Sequence, residues 1–289
     1  MSVVYYTDSC CDLPTAYAKE RELNIMPLVY KIGDDEITTI DDPTMPIEKF
    51  YERMRAGEMS STGQVNTYTF IEAFRPHLER GDDVFYIAFS SGLSGTYQGA
   101  VLAKTQLQKE FPSRSIYLID SLLASMGQGL FVHHALDMRD QGMRPQEILR
   151  WLEDNKLKFS SWFTVSDLQF LRRGGRVTAA SAFLGTMLSI KPVLHVDDEG
   201  HLIAMEKVKG RARSLKGLVD HMEKTAIDPA NQTIFISHGD NEADAQLVAD
   251  MIRERFGTQN FMLNHIGPVI GAHSGPDTIA LFFYGENRD

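Results

Sequence analysis

The sequence has almost no cysteine. Cys10 and Cys11 are its only two, and neighbours in the chain cannot staple distant segments together. A disulfide framework is therefore excluded, which fits a reducing compartment. A metal or redox pair would need further ligands close by, and none stands beside them, so two small buried thiols are the plainer reading. No apolar run approaches the roughly 18 residues that span a bilayer. The longest, residues 84–89 and 279–284, have the length of buried strands. The opening MSVVYYTDSC holds neither a basic nor a long apolar region, so no signal peptide is expected and the expected location is the cytoplasm. Positive charge is also short: 29 Lys and Arg stand against 39 Asp and Glu, for a net charge of −10. Such a surface repels nucleic acid and anionic membrane faces, so nucleic acid is not an expected partner and membrane contact would be transient. Also missing are a phosphate-binding loop with its lysine, a His-Glu metal motif, a nucleophile elbow and a dinucleotide fingerprint. No metal and no cofactor is expected.

What is present suits a globular α/β protein. The 289 residues are 43% hydrophobic and 24% charged, enough for one large domain or two medium ones with real cores. In the first half, strand patterns at 3–7, 25–32, 84–89 and 115–120 are separated by helix patterns at 14–22, 47–56, 69–79 and 94–110. Helices at 127–140 and 145–156 follow, and the acidic stretch 34–42 reads as a turn-rich connection. Strands divided by helices imply right-handed crossovers and a parallel sheet, with ligands beyond the carboxyl ends of the strands. The second half has a different texture. A strand at 162–165, a Gly-rich basic turn and an apolar helix around 178–188 precede a hairpin of 193–196 and 202–208. Helices at 211–224 and 241–256 and strands at 233–236 and 278–284 complete it. The expected division is an N-terminal parallel-sheet domain, 1–160, and a C-terminal mixed or antiparallel α/β domain, 161–289.

Three polar segments stand where chemistry would be done. Ser90-Ser91-Gly92-Leu93-Ser94-Gly95-Thr96 leaves a buried strand and enters a helix, whose free N–H groups and dipole make a ready anion site. Ser94 could touch a bound oxyanion or simply cap the helix, and this segment alone favours neither. Ser60 to Thr67, with Thr62, has the same small, hydroxylated character and reads on its own as a capping loop. Gly267 to Pro276 frames His273 with glycines and prolines, where a protonated ring could pair with an acid. Asp120-Ser121 and His238-Gly239-Asp240 fall at strand ends and read as structural, with Asp240 as a helix cap. Arg172-Arg173-Gly174-Gly175-Arg176 sets three arginines around a diglycine in an acidic chain, which suits a phosphate or a carboxylate-bearing partner surface.

Taken in order, these pieces resemble the DegV family over essentially the whole chain. The matching segments are Thr7-Asp8-Ser9 with Asp12-Leu13-Pro14, the Thr62 loop, SSGLSGTYQGA from Ser90 and Asp120-Ser121. They continue with FTVSDLQFLRRGGR from Phe163, Ile190-Lys191-Pro192, His238-Gly239-Asp240 and GPVIGAHSGP from Gly267. The resemblance implies a two-domain α/β fold with a lipid cavity between the domains. It implies a carrier that holds a long-chain fatty acid while a separate ATP-using fatty acid kinase subunit phosphorylates the carboxylate for phospholipid synthesis. By resemblance, Thr62, Ser94 and His273 bind the carboxylate; Gly63, Asn66 and Gly95 beside them are candidates for further contacts. Arg172, Arg173 and Arg176 are expected to dock the kinase. One departure is clear: where the family's loop after the threonine usually reads Ser-x-Pro-Ser, this chain reads Gly63-Gln64-Val65-Asn66. Two alternatives stay open: an esterase or acyl-transfer enzyme using Ser94 and His273, which lacks an assignable orienting acid, and a lipid-sensing regulator.

Overall fold

The computed structural model describes residues 2–38, 40–178 and 190–288. The chain opens with β1 (Val3–Asp8), α1 (Thr15–Glu20), β2 (Leu23–Met26), β3 (Val29–Ile32) and β4 (Asp35–Ile37). Next come α2 (Ile47–Arg55), β5 (Ser60–Gly63), α3 (Thr67–Glu79), β6 (Asp83–Ala88), α4 (Thr96–Glu110) and β7 (Ile116–Asp120). Helices α5 (Met126–Asp140) and α6 (Pro145–Asn155) end the first half. In the second half β8 (Phe159–Thr164), α7 (Gln169–Gly174), β9 (Val177–Thr178), β10 (Ile190–Val196) and β11 (Leu202–Lys209) lead to α8 (Arg211–Thr225). Then β12 (Thr233–His238), α9 (Glu242–Phe256), β13 (Asn260–His265), α10 (Pro268–Ser274) and β14 (Ile279–Tyr284) close the fold.

Strands β2, β1, β6 and β7 form a parallel sheet in that order. Because β1 leads to β2 on one side and β6 leads to β7 on the other, the order reverses between β1 and β6. A crevice opens there at the carboxyl ends of the strands. The buried Asp8 stands at that point and takes hydrogen bonds from the Tyr86 hydroxyl at 2.7 Å and from Phe89 N–H at 2.9 Å. It thereby fixes how the chain leaves β6 toward Ser90 and Ser94.

The larger sheet is mixed and runs β13-β12-β14-β8-β10-β11-β9. Every residue of β8 is buried, because both faces of this central strand are covered. Trp162 joins the core under α8 and α9, with Leu218, Val219 and Ile252, while Phe159 and Phe163 face the parallel-sheet side with Phe282. A small antiparallel sheet, β4-β3-β5, lies against α10, where the Ser60 hydroxyl reaches the Ala272 carbonyl.

The structure corrects several expectations. Residues 25–32 are not one strand: Pro27 has no N–H for a ladder, and the chain breaks there into β2 and β3, which belong to different sheets. The acidic stretch 34–42 contains β4, and the polar Ser60 to Gly63 segment is strand β5 rather than a loop. Gly267 to Pro276 contains the helix α10, begun by Pro268 at its first position. The basic turn is largely helical, since Arg172 and Arg173 lie in α7, which ends at Gly175 in the left-handed conformation with φ 67°. Asn241, not Asp240, caps α9 by accepting from Asp244 N–H. Strand β13 had no counterpart in the pattern. Of the apolar helix expected around 178–188, Thr178 falls in β9 and the rest lies outside the described residues.

Candidate functional site: an apolar cavity with a polar mouth

A largely apolar cavity lies between the parallel sheet and the mixed sheet. Counting the open solvent at its mouth, the space between its atoms is about 810 Å³, of which the centre of a water-sized sphere can reach about 90 Å³. Phe89 and Leu93 line it from the β6–α4 connection, Phe163 and Phe282 from the mixed sheet, and Val269 and Ile270 from α10. The alternation of β8 and β14 explains the sheet wall: Ala280 pairs with Phe163 and Phe282 with Ser161, and all four face the lumen.

Thr62, Ser94 and His273 meet this cavity together, with Gly63, Gln64 and Arg176. Thr62 is carried by β5, whose partner across the small sheet is Tyr30. His273 is one helical turn along α10 from Val269, so both project to the same side. The Thr62 Oγ1 to His273 Nε2 distance is 2.8 Å. Ser94 precedes α4, which begins at Thr96 rather than at Ser94 itself. Its Oγ accepts from Thr96 N–H at 3.2 Å and lies 2.9 Å from Thr96 Oγ1. Thr96 in turn takes Val65 N–H at 3.3 Å, which ties the Thr62 loop to the start of α4.

The candidates for further contacts fall differently. Gly63 lines the cavity. Asn66 caps α3 by accepting from Thr69 N–H at 3.0 Å and does not line the cavity. Gly95 lies under the Gln64 side chain, whose amide occupies the space a Cβ would need. Gln64 was not singled out from sequence, although it is the polar residue of that loop that reaches the lumen.

The arginines divide as well. Arg176 is half-buried, its guanidinium bonded to the Gly174 carbonyl, and it lines the cavity. Arg176 thus differs from the exposed Arg172 and Arg173 in facing the inner cavity as well as the cleft. Arg173 is exposed, stacked on the Phe170 ring at 4.7 Å, with Nη1 3.3 Å from the Met59 sulfur. Outside the mouth an open cleft is lined by Met59, Phe170 and Arg173, and Thr62, Arg176 and His273 line both this cleft and the inner cavity.

Burial and the nearby Arg176 charge push His273 down to about 4, so the ring is neutral at pH 7. At neutral pH the His273 ring is thus not set to pair with an acid as an imidazolium. Its Nδ1 has no hydrogen-bond partner, and no carboxylate among the described residues orients it. Burial likewise raises both cysteine thiols, next to Asp8 and Asp12. Among the described residues no His, Cys, Asp and Glu cluster is placed to hold a metal ion, and no helix is long and apolar enough to cross a membrane.

Residues 3–286 match the family model described as "Uncharacterised protein, DegV family". A DegV domain-containing protein of Clostridium perfringens is 42% identical over 287 residues, covering 99% of this chain and 98% of the relative. Among solved structures, a DegV lipid binding protein of Thermotoga maritima gives a TM-score of 0.87 at 27% identity, over 100% of both chains. A DegV family protein of Thermus thermophilus described by its fatty acid binding gives 0.86 at 28% identity, over 99% of this chain and 100% of that one. A family model that spans nearly the whole sequence, and a fold shared over its full length, place the protein: it belongs to the DegV family.

Proposed function

We propose that this protein is a cytoplasmic carrier that holds one long-chain fatty acid and presents its carboxylate to a separate ATP-using kinase. The acyl phosphate formed there feeds phospholipid synthesis. The observation that carries the reading is the position of Thr62, Arg176 and His273, which line both the apolar cavity and the outer cleft. A head group held at that junction has its tail inside and its oxygens within reach of a partner. The fatty acid binding of the Thermus thermophilus relative and the lipid binding of the Thermotoga maritima one support the same ligand class.

The energetics divide between tail and head. A sixteen-carbon tail buried at about 0.8 kcal/mol per methylene gains roughly 12 kcal/mol before ordering costs. The tail supplies affinity and the polar groups fix the head. A carboxylate only accepts hydrogen bonds. Neutral His273 therefore donates through Nε2–H to Thr62 Oγ1, which leaves the Thr62 hydroxyl proton for the ligand. Ser94 offers a second hydroxyl and Arg176 a positive charge.

The same geometry disfavours catalysis of acyl transfer by this chain. The Nε2 partner of His273 is Thr62 rather than Ser94, so the histidine is not set as the base for a serine nucleophile. The test is denaturing extraction of the purified protein followed by lipid mass spectrometry. One monocarboxylic acyl chain per protein chain is expected. Repeated absence of any acyl chain, with no uptake of added palmitate or oleate, would overturn the reading.

A further inference from the structure

The deep wall of the cavity carries a polar atom that a plain alkyl chain leaves unused. Ser161 lines the lumen beside Phe282, is only 1% exposed, and its Oγ has no hydrogen-bond partner. A buried hydroxyl left unpaired is costly, and each such group calls for an explanation. Facing it is the start of α5, where Gly127 packs so closely that a Cβ would lie 2.8 Å from both Ser161 Oγ and the Phe282 ring. That helix is 15 residues long and has no side-chain cap. Ser125, its N-cap residue, turns its hydroxyl to Asp12 and Ser237 instead. The start of α5 thus sets the flank of Gly127 against Ser161 Oγ, and the Gly127 N–H is already given to the Ala124 carbonyl.

The depth of this place follows from strand geometry. The Thr278 hydroxyl bonds the Ser274 carbonyl, next to His273 at the mouth. From Thr278 to Phe282 is four residues, about 13 Å at ~3.3 Å per residue. A staggered alkyl chain with ~1.5 Å bonds advances about 1.25 Å per carbon. A chain laid along β14 with its carboxylate level with Thr278 meets Ser161 at about the tenth carbon.

We propose that the Ser161 hydroxyl, beside the start of α5, forms a second polar station inside the lipid cavity. It binds an oxygen substituent, a hydroxyl or keto group, near the tenth carbon of a long-chain fatty acid. The proposal rests on the fatty-acid reading above and deepens it by naming the ligand class. Ser161 donates its hydroxyl proton to the substituent oxygen; with an unsubstituted chain it has nothing to bond.

The test is competition binding to delipidated protein with octadecanoic, 10-hydroxyoctadecanoic, 10-oxooctadecanoic and 3-hydroxyoctadecanoic acids. Wild type is expected to prefer the two 10-substituted acids over octadecanoic acid by about five-fold, the worth of one neutral hydrogen bond. The 3-hydroxy acid should gain nothing. Ser161→Ala should abolish the preference while holding octadecanoic acid within about two-fold of wild type. The near-isosteric Ser161→Cys guards against a folding defect and should lose the preference too. The proposal is overturned if wild type binds the 10-substituted acids no better than octadecanoic acid, or if the preference survives in both variants. Failure of all four acids to bind would instead overturn the fatty-acid reading, and this proposal with it.

Discussion

Thr62 Oγ1 and His273 Nε2 lie 2.8 Å apart, although 211 residues separate them in the chain. Strand β5 brings one and helix α10 the other, and the Ser60 to Ala272 bond holds the two elements together. Each group orients its partner: the ring nitrogen directs the hydroxyl, and the hydroxyl fixes the ring. A neutral ring suits this arrangement, because an imidazolium would be buried against Arg176.

Removing either member should therefore weaken head-group binding more than it unfolds the protein. Thr62→Val keeps the shape without the hydroxyl, and His273→Ala removes the ring. The loss of a hydrogen bond to a charged group is worth about 1.5–3 kcal/mol, or roughly 10- to 150-fold in affinity. Fatty acid titrations beside thermal melts separate the two effects. Wild-type affinity in both variants would place the head group elsewhere.

The diglycine of the arginine segment has two separate jobs. A Cβ on Gly174 would collide with Nδ1 of the His273 ring, whereas Gly175 meets nothing but sits at φ 67°. Gly174→Ala is expected to lower fatty acid affinity without removing any ligand-facing group, because the histidine must move. Gly175→Ala should instead cost about 1 kcal/mol of stability through its left-handed backbone, with affinity nearly unchanged. Equal binding losses in the two variants would contradict this division.

The parallel sheet was legible because its strands are short apolar runs separated by long helical periods. The small sheet was not, since Ser60, Ser61, Thr62 and Gly63 have no apolar alternation. They form a strand only because β3 and α10 are there to pair and pack with them. Helix α10 was hidden by Gly267, Pro268, Gly271 and Gly275. Gly271 is needed because α10 packs directly on the Tyr51 ring, where a Cβ would lie 2.5 Å from the hydroxyl. Each candidate head-group residue was visible alone as an ordinary cap or a lone histidine. The resemblance to a family singled them out, and only the tertiary fold sets two of them in contact. Nothing in the spacing of Arg172, Arg173 and Arg176 foretold that the third turns inward.

Asp12 gives a pH signature. It is buried and held by the Ser125 hydroxyl and Gly267 N–H, and burial raises its carboxyl from 3.8 to about 7. Between these values the folded protein keeps a proton that the unfolded chain releases. The stability from this site is thus full below pH 3.8 and is lost as pH rises to about 7. Asp12→Asn retains an acceptor and tolerates the left-handed backbone, where φ is 51°, but it does not titrate. Its advantage in melting temperature over wild type should grow from about pH 4 to pH 7 and then level off. The buried histidines near 4 are common to both proteins and cancel in the difference. A difference that is flat over this range would show that Asp12 ionises normally.

The arginines should separate lipid retention from transfer to the kinase. Arg172 and Arg173 are exposed, and neither makes an ion pair with a described residue. Among the described residues Arg173 is steadied by the Phe170 ring, the Gln169 carbonyl and the Met59 sulfur, beside the cleft outside the cavity mouth. In a chain of net charge −10, an exposed arginine beside that cleft, as Arg173 is, mainly sets encounter rate and orientation with an acidic or phosphate-bearing partner. Arg176 differs because it also lines the cavity and lies close enough to lower the His273 ring. Arg173→Glu, alone or with Arg172→Glu, is expected to leave bound fatty acid in place while acyl-phosphate formation by a cognate kinase subunit falls about ten-fold or more at low salt. Raising the salt should narrow the gap between variant and wild type, since a screened surface charge steers less. Arg176→Glu should lose the lipid itself, because it sets a second carboxylate against the ligand's. Lipid occupancy by mass spectrometry and acyl-phosphate formation, measured on the same preparations, distinguish the two. If Arg173→Glu empties the cavity, Arg173 belongs to the head-group site; if it transfers at the wild-type rate, the kinase docks on another face.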